Sequence, residues 1–379
     1  MNLRSILTPR ALARLLLGWA AVAGLALTGD LLAPPVPGPL LVGALAVVVA
    51  VILVCAFGVV HEAEHLARRL GDPYGSLVLT LSIVVIEVVL ISAVMLGPGD
   101  HTTIGRDSVM AVSMIILNAV VGLCLLVGGL RHGDLTPNRA GTSAYLAMLV
   151  VLVSLAFALP AVVGRGGSYT AAQTVPVVVL TVALYAFFLV RQMGPQAGSF
   201  REVDTPEAVT GAADEGGPAP PIRTVLATHR SEVLLRLGLL VATALPIVLL
   251  SHEMAALLDD GLGRVGAPVA LAGVLIAMIV FLPESITSVR AALQGEVQRV
   301  SNLCHGALVS TVGLTIPSVL LIGALTGRPV VLAESPANLL LLGASLLLTA
   351  TSFLAPRVTA VHGACHLVLF AGYGIAVLS

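Results

Sequence analysis

Charge is scarce in this sequence. Only 10% of its 379 residues are Asp, Glu, Lys or Arg, against about 25% in an ordinary soluble domain. Lysine is absent, so all 19 cations are arginine. A chain this long folding in water would form two or three domains, each needing a charged surface that these residues cannot cover. A net charge of −1 leaves no basic footprint for nucleic acid. Aromatic residues make up only 4%. The four cysteines, Cys55, Cys124, Cys304 and Cys365, lie in or beside apolar stretches without the paired spacing of an extracellular or zinc-ribbon framework. Four free thiols are expected, and no cofactor. What is plentiful is hydrocarbon, at 58% of residues. The matching solvent is a lipid bilayer, and the partners this composition admits are lipids, small cations and protons.

Bounding the apolar runs by Pro, Gly and charge clusters, with about 20 residues per crossing, predicts an all-α polytopic membrane protein of about 11 transmembrane helices. They fall at roughly 11–29, 38–60, 74–97, 107–130, 143–164, 172–192, 232–251, 267–291, 302–326, 336–355 and 358–378. The first has basic flanks, Arg4, Arg10 and Arg14, but no small-residue cleavage site follows, so it is kept as a span. Placing the N-terminus in the cytoplasm puts fifteen arginines inside and four, Arg106, Arg165, Arg264 and Arg328, outside. The expected location is a bacterial inner membrane. The one long polar segment then lies inside and reads as a disordered linker; it carries Glu202, Asp204, Glu207, Asp214, Glu215 and the Pro-Gly run from Gly216.

A linker in mid-chain suggests duplication. His61-Glu62 closes the second span and His252-Glu253 the seventh; Pro73 precedes the third and Pro268 begins the eighth. Glu87 and Glu284 recur inside these spans, and each is followed 26 residues later by a serine, Ser113 and Ser310. The shared order and an offset near 197 divide the chain into four parts. These are an N-terminal segment with one helix (1–37), a five-helix repeat (38–192), the linker (193–231) and a second five-helix repeat (232–379). Five crossings make the second repeat enter from the opposite side, an inverted repeat.

The sharpest chemical signal is a carboxylate at membrane depth in each repeat, Glu87 and Glu284. A charge at the bilayer centre costs a few kcal/mol, so an acid there should face a cavity, a partner or an ion. Pro283 donates no amide hydrogen to the Ile279 carbonyl, which leaves a backbone oxygen beside Glu284. Further oxygens come from Thr80, Ser82, Ser113, Asn118, Ser285, Thr287, Ser288, Ser310 and Thr315. These hard donors suit Ca²⁺, Na⁺ or K⁺. Two acids sharing a cavity raise each other's proton affinity, and a cation between them reverses this, so one site can hold protons or metal in alternation. Glu62, Glu64 and Glu253, near helix ends, are candidates for access or proton relay.

The block from His61 to Glu87, with Pro283-Glu-Ser, Gln298-Arg-Val-Ser-Asn, Gly313-Leu-Thr-Ile-Pro and Gly363-Ala-Cys-His-Leu-Val-Leu-Phe-Ala-Gly-Tyr, resembles bacterial calcium/proton antiporters of the ChaA type, within the calcium/cation antiporter superfamily. The resemblance spans nearly the whole chain outside the linker and the extreme N-terminus. It implies export of Ca²⁺, with Na⁺ or K⁺ as further cargo, against entering protons, and it assigns the two repeat acids to Glu87 and Glu284. No role carries over to His61 or His65.

The competing reading is an intramembrane zinc metalloprotease. His61-Glu62-Ala63-Glu64-His65 matches the H-E-x-x-H signature, and Asp260-Gly261 supplies an acid elsewhere. Against it, the motif lies at a span end and leaves Glu87 and Glu284 without a purpose. His362, Cys365 and His366 share a helix face, where packing is the expected role.

Overall fold

The computed structural model describes residues 7–29, 36–70, 74–96, 102–201, 222–268 and 270–378, without the side chains of 67–70, 74–80, 83, 93, 222–229 and 280. The acidic part of the linker and the side chain of Thr80 therefore lie outside what is described. Eleven long helices follow one another, and no strand occurs among the described residues. They are α1 (Pro9–Thr28), α2 (Gly38–Leu70), α3 (Tyr74–Leu96), α4 (Ile104–His132), α5 (Arg139–Val163), α6 (Ala171–Met193), α7 (Ile222–Arg264), α8 (Ala270–Leu293), α9 (Val297–Thr326), α10 (Pro336–Phe353) and α11 (Ala360–Leu378). Among the described residues, nine are long and apolar enough to cross a membrane, and α8 is a tenth if its two bent pieces count as one span. The remaining helix, α3, meets the apolar criterion only from Val84 to Leu96. The protein is an all-α polytopic membrane protein. Its large apolar side chains face outward to a degree no soluble protein could sustain: Val175, Val179, Phe187 and Val190 run down one side of α6, each more than half exposed.

The helices fall into two compact units. The first takes residues 1–104 and 220–283. Here α1 begins with Thr8 as its cap, the hydroxyl accepting from the Ala11 amide at 3.2 Å ahead of Pro9. It packs on α2 and α7, because Gly18 lets the backbone approach: a Cβ there would stand 2.9 Å from Cys55 Sγ and 3.0 Å from Pro246 Cβ. The Trp19 indole donates to the Ala242 carbonyl at 3.1 Å. Helices α2 and α7 run antiparallel. At one end the Val36 amide donates to the Asp260 carboxylate at 3.1 Å, and at the other Arg236 pairs with Glu62 at 2.9 Å.

The second unit takes residues 105–219 and 284–379. Its chain reversals gather at two ends. At one, the Gly167 carbonyl accepts from Leu332 (3.0 Å) and Ala333 (2.9 Å), and Arg106 donates to the Ala333 carbonyl at 2.8 Å. At the other, Leu135 and Val358 exchange backbone bonds of 2.9 and 2.8 Å, the Asn138 amide donates to Gln298 Oε1 at 2.9 Å, and Asn302 donates to the Phe200 carbonyl at 2.6 Å. Helices α4 and α11 meet backbone to backbone. A Cβ on Gly363 would overlap the Leu126 amide nitrogen and lie 2.5 Å from the Gly122 carbonyl oxygen, and one on Gly122 would lie 2.9 Å from His366 Cβ.

Three helices of this unit carry a π-helical turn, Ile115–Val120 in α4, Ser154–Ala158 in α5 and Thr311–Thr315 in α9. The first residues of the turns in α4 and α9 are 196 positions apart. Such turns concentrate at functional sites.

Candidate functional site

Glu87 lies in the first unit on α3, only 4% exposed. Helical spacing dictates this. Val84, Glu87, Ile91 and Val94 form a buried stripe, while Val85 on the opposite side is 57% exposed. Ser82, one turn earlier, is half-buried. Glu284 belongs to the second unit and is equally buried. It shares its face of α8 with Phe281, Ser288 and Ala291, all buried, whereas Leu282 points out. Helix α8 bends by 54° between Ile279 and Phe281. That is where Pro283 removes an amide from the ladder and crowds the carbonyl four residues back. Ser285 is half-buried, and the Ser288 hydroxyl accepts from Cys304 at 3.5 Å.

The remaining candidate oxygens of the second unit sit at or just before the π turns. Ser113 is fully buried with its hydroxyl on the Val109 carbonyl at 2.7 Å. Ser310 donates to the Gly306 carbonyl and meets the Tyr185 hydroxyl, each at 2.9 Å. Thr315 is fully buried and its hydroxyl has no hydrogen-bond partner. Asn118 is the hub of a polar network that composition and spacing did not reveal. Its amide donates to Ser345 of α10 at 2.7 Å, and its carbonyl oxygen lies 3.2 Å from His366 Nδ1 of α11. The other nitrogen of His366 faces Ser352 at 3.3 Å. His362 instead bonds the amide and hydroxyl of Thr359, and Cys365 is exposed, so these three residues do not converge. All four cysteines are free thiols.

Each unit thus buries one helical acid, and the second also buries hydroxyl and amide oxygens at its π turns; oxygen donors of this kind suit a hard cation rather than a hydrolytic zinc. A family description, sodium/calcium exchanger protein, matches residues 40–194 and 235–378. The chain belongs to the sodium/calcium exchanger protein family. Within it the chain is 36% identical over 319 residues to a putative ionic transporter, y4hA, of Sinorhizobium fredii, covering 83% of both chains. It is 33% identical over 326 residues to the sodium-potassium/proton antiporter ChaA of Escherichia coli, covering 85% of both. A solved H⁺/Ca²⁺ exchanger, CAX, superposes with a TM-score of 0.68 at 15% identity, over 96% of this chain and 87% of that one. At that identity the likeness is one of fold.

The exchanger family consists of transporters rather than enzymes, and the cations they move are substrates, not cofactors. The zinc-protease reading of residues 61–65 finds no support. Glu62, which would have to activate water, is buried and paired with Arg236 at 2.9 Å, and Arg236 also holds Glu232 at 3.2 Å. Among the described residues no three His, Cys, Asp or Glu side chains gather to hold a metal. Glu64 and Glu253 are half-buried on α2 and α7.

One further acid was missed by the sequence reading because it lies between spans. Glu334 is 6% exposed at the end of the second unit marked by Gly167 and Ala333. One oxygen accepts from the Ser335 amide (3.0 Å) and from Asn338 (2.8 Å), and the other lies 3.7 Å from Arg106. Burial pushes this carboxyl above the usual range, only partly offset by the Asn338 bond and the Arg106 charge.

Proposed function

We propose that this chain is a secondary antiporter of the bacterial inner membrane, exporting Ca²⁺, with Na⁺ or K⁺ as alternative cargo, in exchange for protons by alternating access. The observation that carries it is a buried glutamate in each of two apolar helices, Glu87 and Glu284, in a member of an exchanger family. Both acids take metal and proton in turn. Ser82, Ser113, Asn118, Ser285, Ser310, Thr315 and the Ile279 carbonyl supply further oxygens, and Glu62, Glu64 and Glu253 line the approaches. A carboxylate held in low dielectric prefers its neutral form until a cation arrives, so binding one guest expels the other. Proton coupling and monovalent cargo are supported by what the E. coli relative is named for, and Ca²⁺ by the solved exchanger.

The same reading takes the eleven helices as eleven spans and the matched order of Glu87 with Glu284, and of the π turns in α4 and α9, as marks of an inverted repeat. It places the N-terminus in the cytoplasm. In the second unit Arg131, Arg139, Arg191, Arg201, Arg290, Arg299 and Arg357 lie toward the end formed by Leu135 and Val358, whereas Arg106, Arg165 and Arg328 lie toward the other. That bias supports taking the first end as cytoplasmic.

The test is dequenching of a pH dye in everted vesicles on adding CaCl₂, NaCl or KCl in turn. Wild type is expected to release protons on CaCl₂. Glu87→Gln and Glu284→Gln, which keep an oxygen and lose the titratable charge, are expected to abolish the response. Normal ΔpH-driven Ca²⁺ uptake in both variants refutes the assignment.

A further inference from the structure

The exchange reading leaves one chemical motif unused. His61 and His65 stand one turn apart on α2, and their Nε2 atoms converge to 3.3 Å with the rings at 87° and centroids 4.6 Å apart. We propose that these two imidazoles form a chelating site for a borderline first-row divalent cation of the Zn²⁺ class, separate from the transported cation.

The two nitrogens stand at hydrogen-bond distance, one donating to the other, and the same separation fits a shared ion. Two imidazole nitrogens bound at about 2.05 Å around a tetrahedral centre lie about 3.3 Å apart, so the pair already has the required bite. In the bound form each Nε2 presents its lone pair to the metal and each Nδ1 keeps its proton. The position is accessible. At about 1.5 Å per residue His61 lies about 35 Å along α2 from Gly38, beyond a hydrocarbon layer of about 30 Å, and it is exposed. Glu62 points elsewhere, into its ion pair with Arg236, so water completes the coordination. The ligand chemistry also separates this site from the cargo, because Ca²⁺ and Na⁺ take oxygen ligands while imidazole selects Zn²⁺, Ni²⁺ and Cu²⁺. With both donors on one helix, occupancy ties together successive turns at the end of α2 and stabilises the folded state by mass action. None of this depends on antiport.

The experiment uses the full chain in detergent, stripped of metal with EDTA and desalted, in a Cys365→Ser background that removes the exposed thiol. ZnCl₂ and NiCl₂ are titrated calorimetrically in excess CaCl₂. One saturable site is expected, weakened at least about tenfold by His61→Ala or His65→Ala and unmoved by His252→Ala, with a Zn²⁺-induced rise in melting temperature lost in the same two variants. Absence of saturable binding in the parent, or unchanged binding in the double variant, overturns the proposal. If either variant misfolds, diethyl pyrocarbonate labelling of the parent decides: Zn²⁺ should protect His61 and His65 together, and undiminished labelling of both overturns the site.

Discussion

Replacing Gly363 by alanine tests whether the close approach of α4 and α11 holds the Asn118 network in place. The new Cβ would lie 2.5 Å from the Gly122 carbonyl oxygen and closer still to the Leu126 amide, in both cases against backbone that cannot rotate away. Ordinary contact is about 3.5 Å, so the two helices must part by about 1 Å. His366 Nδ1 is already 3.2 Å from Asn118 Oδ1, and another ångström ends that bond. Overpacking costs about 1–3 kcal/mol and the lost bond about 1 kcal/mol. The helix propensity of alanine returns about 1 kcal/mol. The net loss is therefore about 1–3 kcal/mol. Gly372, nine residues further along α11, has nothing within 4 Å of an added Cβ, so Gly372→Ala should keep the propensity gain alone. Thermal melting of the two purified variants in the same detergent should place Gly363→Ala several degrees below Gly372→Ala. A Gly363→Ala protein melting at or above its partner would refute the reasoning.

Three other outcomes are expected. Arg236→Met leaves Glu62 buried without its cation and should cost about 3–5 kcal/mol. Glu62→Gln should cost less because Glu232 still holds Arg236 at 3.2 Å, and the double variant Glu62→Met/Arg236→Met should recover much of the loss, all read by melting temperature. His366→Leu removes the acceptor or donor facing both Asn118 and Ser352. It should lower the apparent Ca²⁺ affinity in vesicles, with His362→Leu as a control that leaves it unchanged. For Glu334 the folded-state pKa is raised, so its contribution is fully present below the ordinary carboxylate range and is lost as pH rises through the raised value. Melting temperatures of Glu334→Gln should therefore improve relative to wild type as pH climbs from about 4 toward neutrality, and a constant difference would count against a shifted carboxyl.

Much of this was legible because a membrane helix leaves few ambiguities. Runs such as Ser82 to Leu90 admit only one solvent and one secondary structure, and an acid inside such a run stands out as Glu87 and Glu284 did. Pro283 likewise announced a bend, and α8 bends two to four residues before it. The partners of Asn118 could not be read the same way. Ser345 and His366 lie 227 and 248 residues away along the chain, and serines in apolar helices usually bond their own backbone, as Ser345 also does to Leu341. The π turns have no compositional mark at all. Glu334 was passed over because an acid between spans normally meets water, and only the packing of Asn338 and Arg106 around it shows otherwise.

Those π turns have a geometric consequence for the halves of α4 and α9 that follow them. Each holds one residue more than an ordinary turn, and one residue is about 100° of rotation. Every side chain after Val120 or Thr315 therefore points roughly a quarter-turn away from where an unbroken helix would aim it. Tightening either widened turn into an ordinary one with no residue removed would swing the whole downstream segment round, carrying lipid-facing leucines inward and the glycine seam of α4 outward, whereas excising one residue along with the widening would leave that segment aimed as it is.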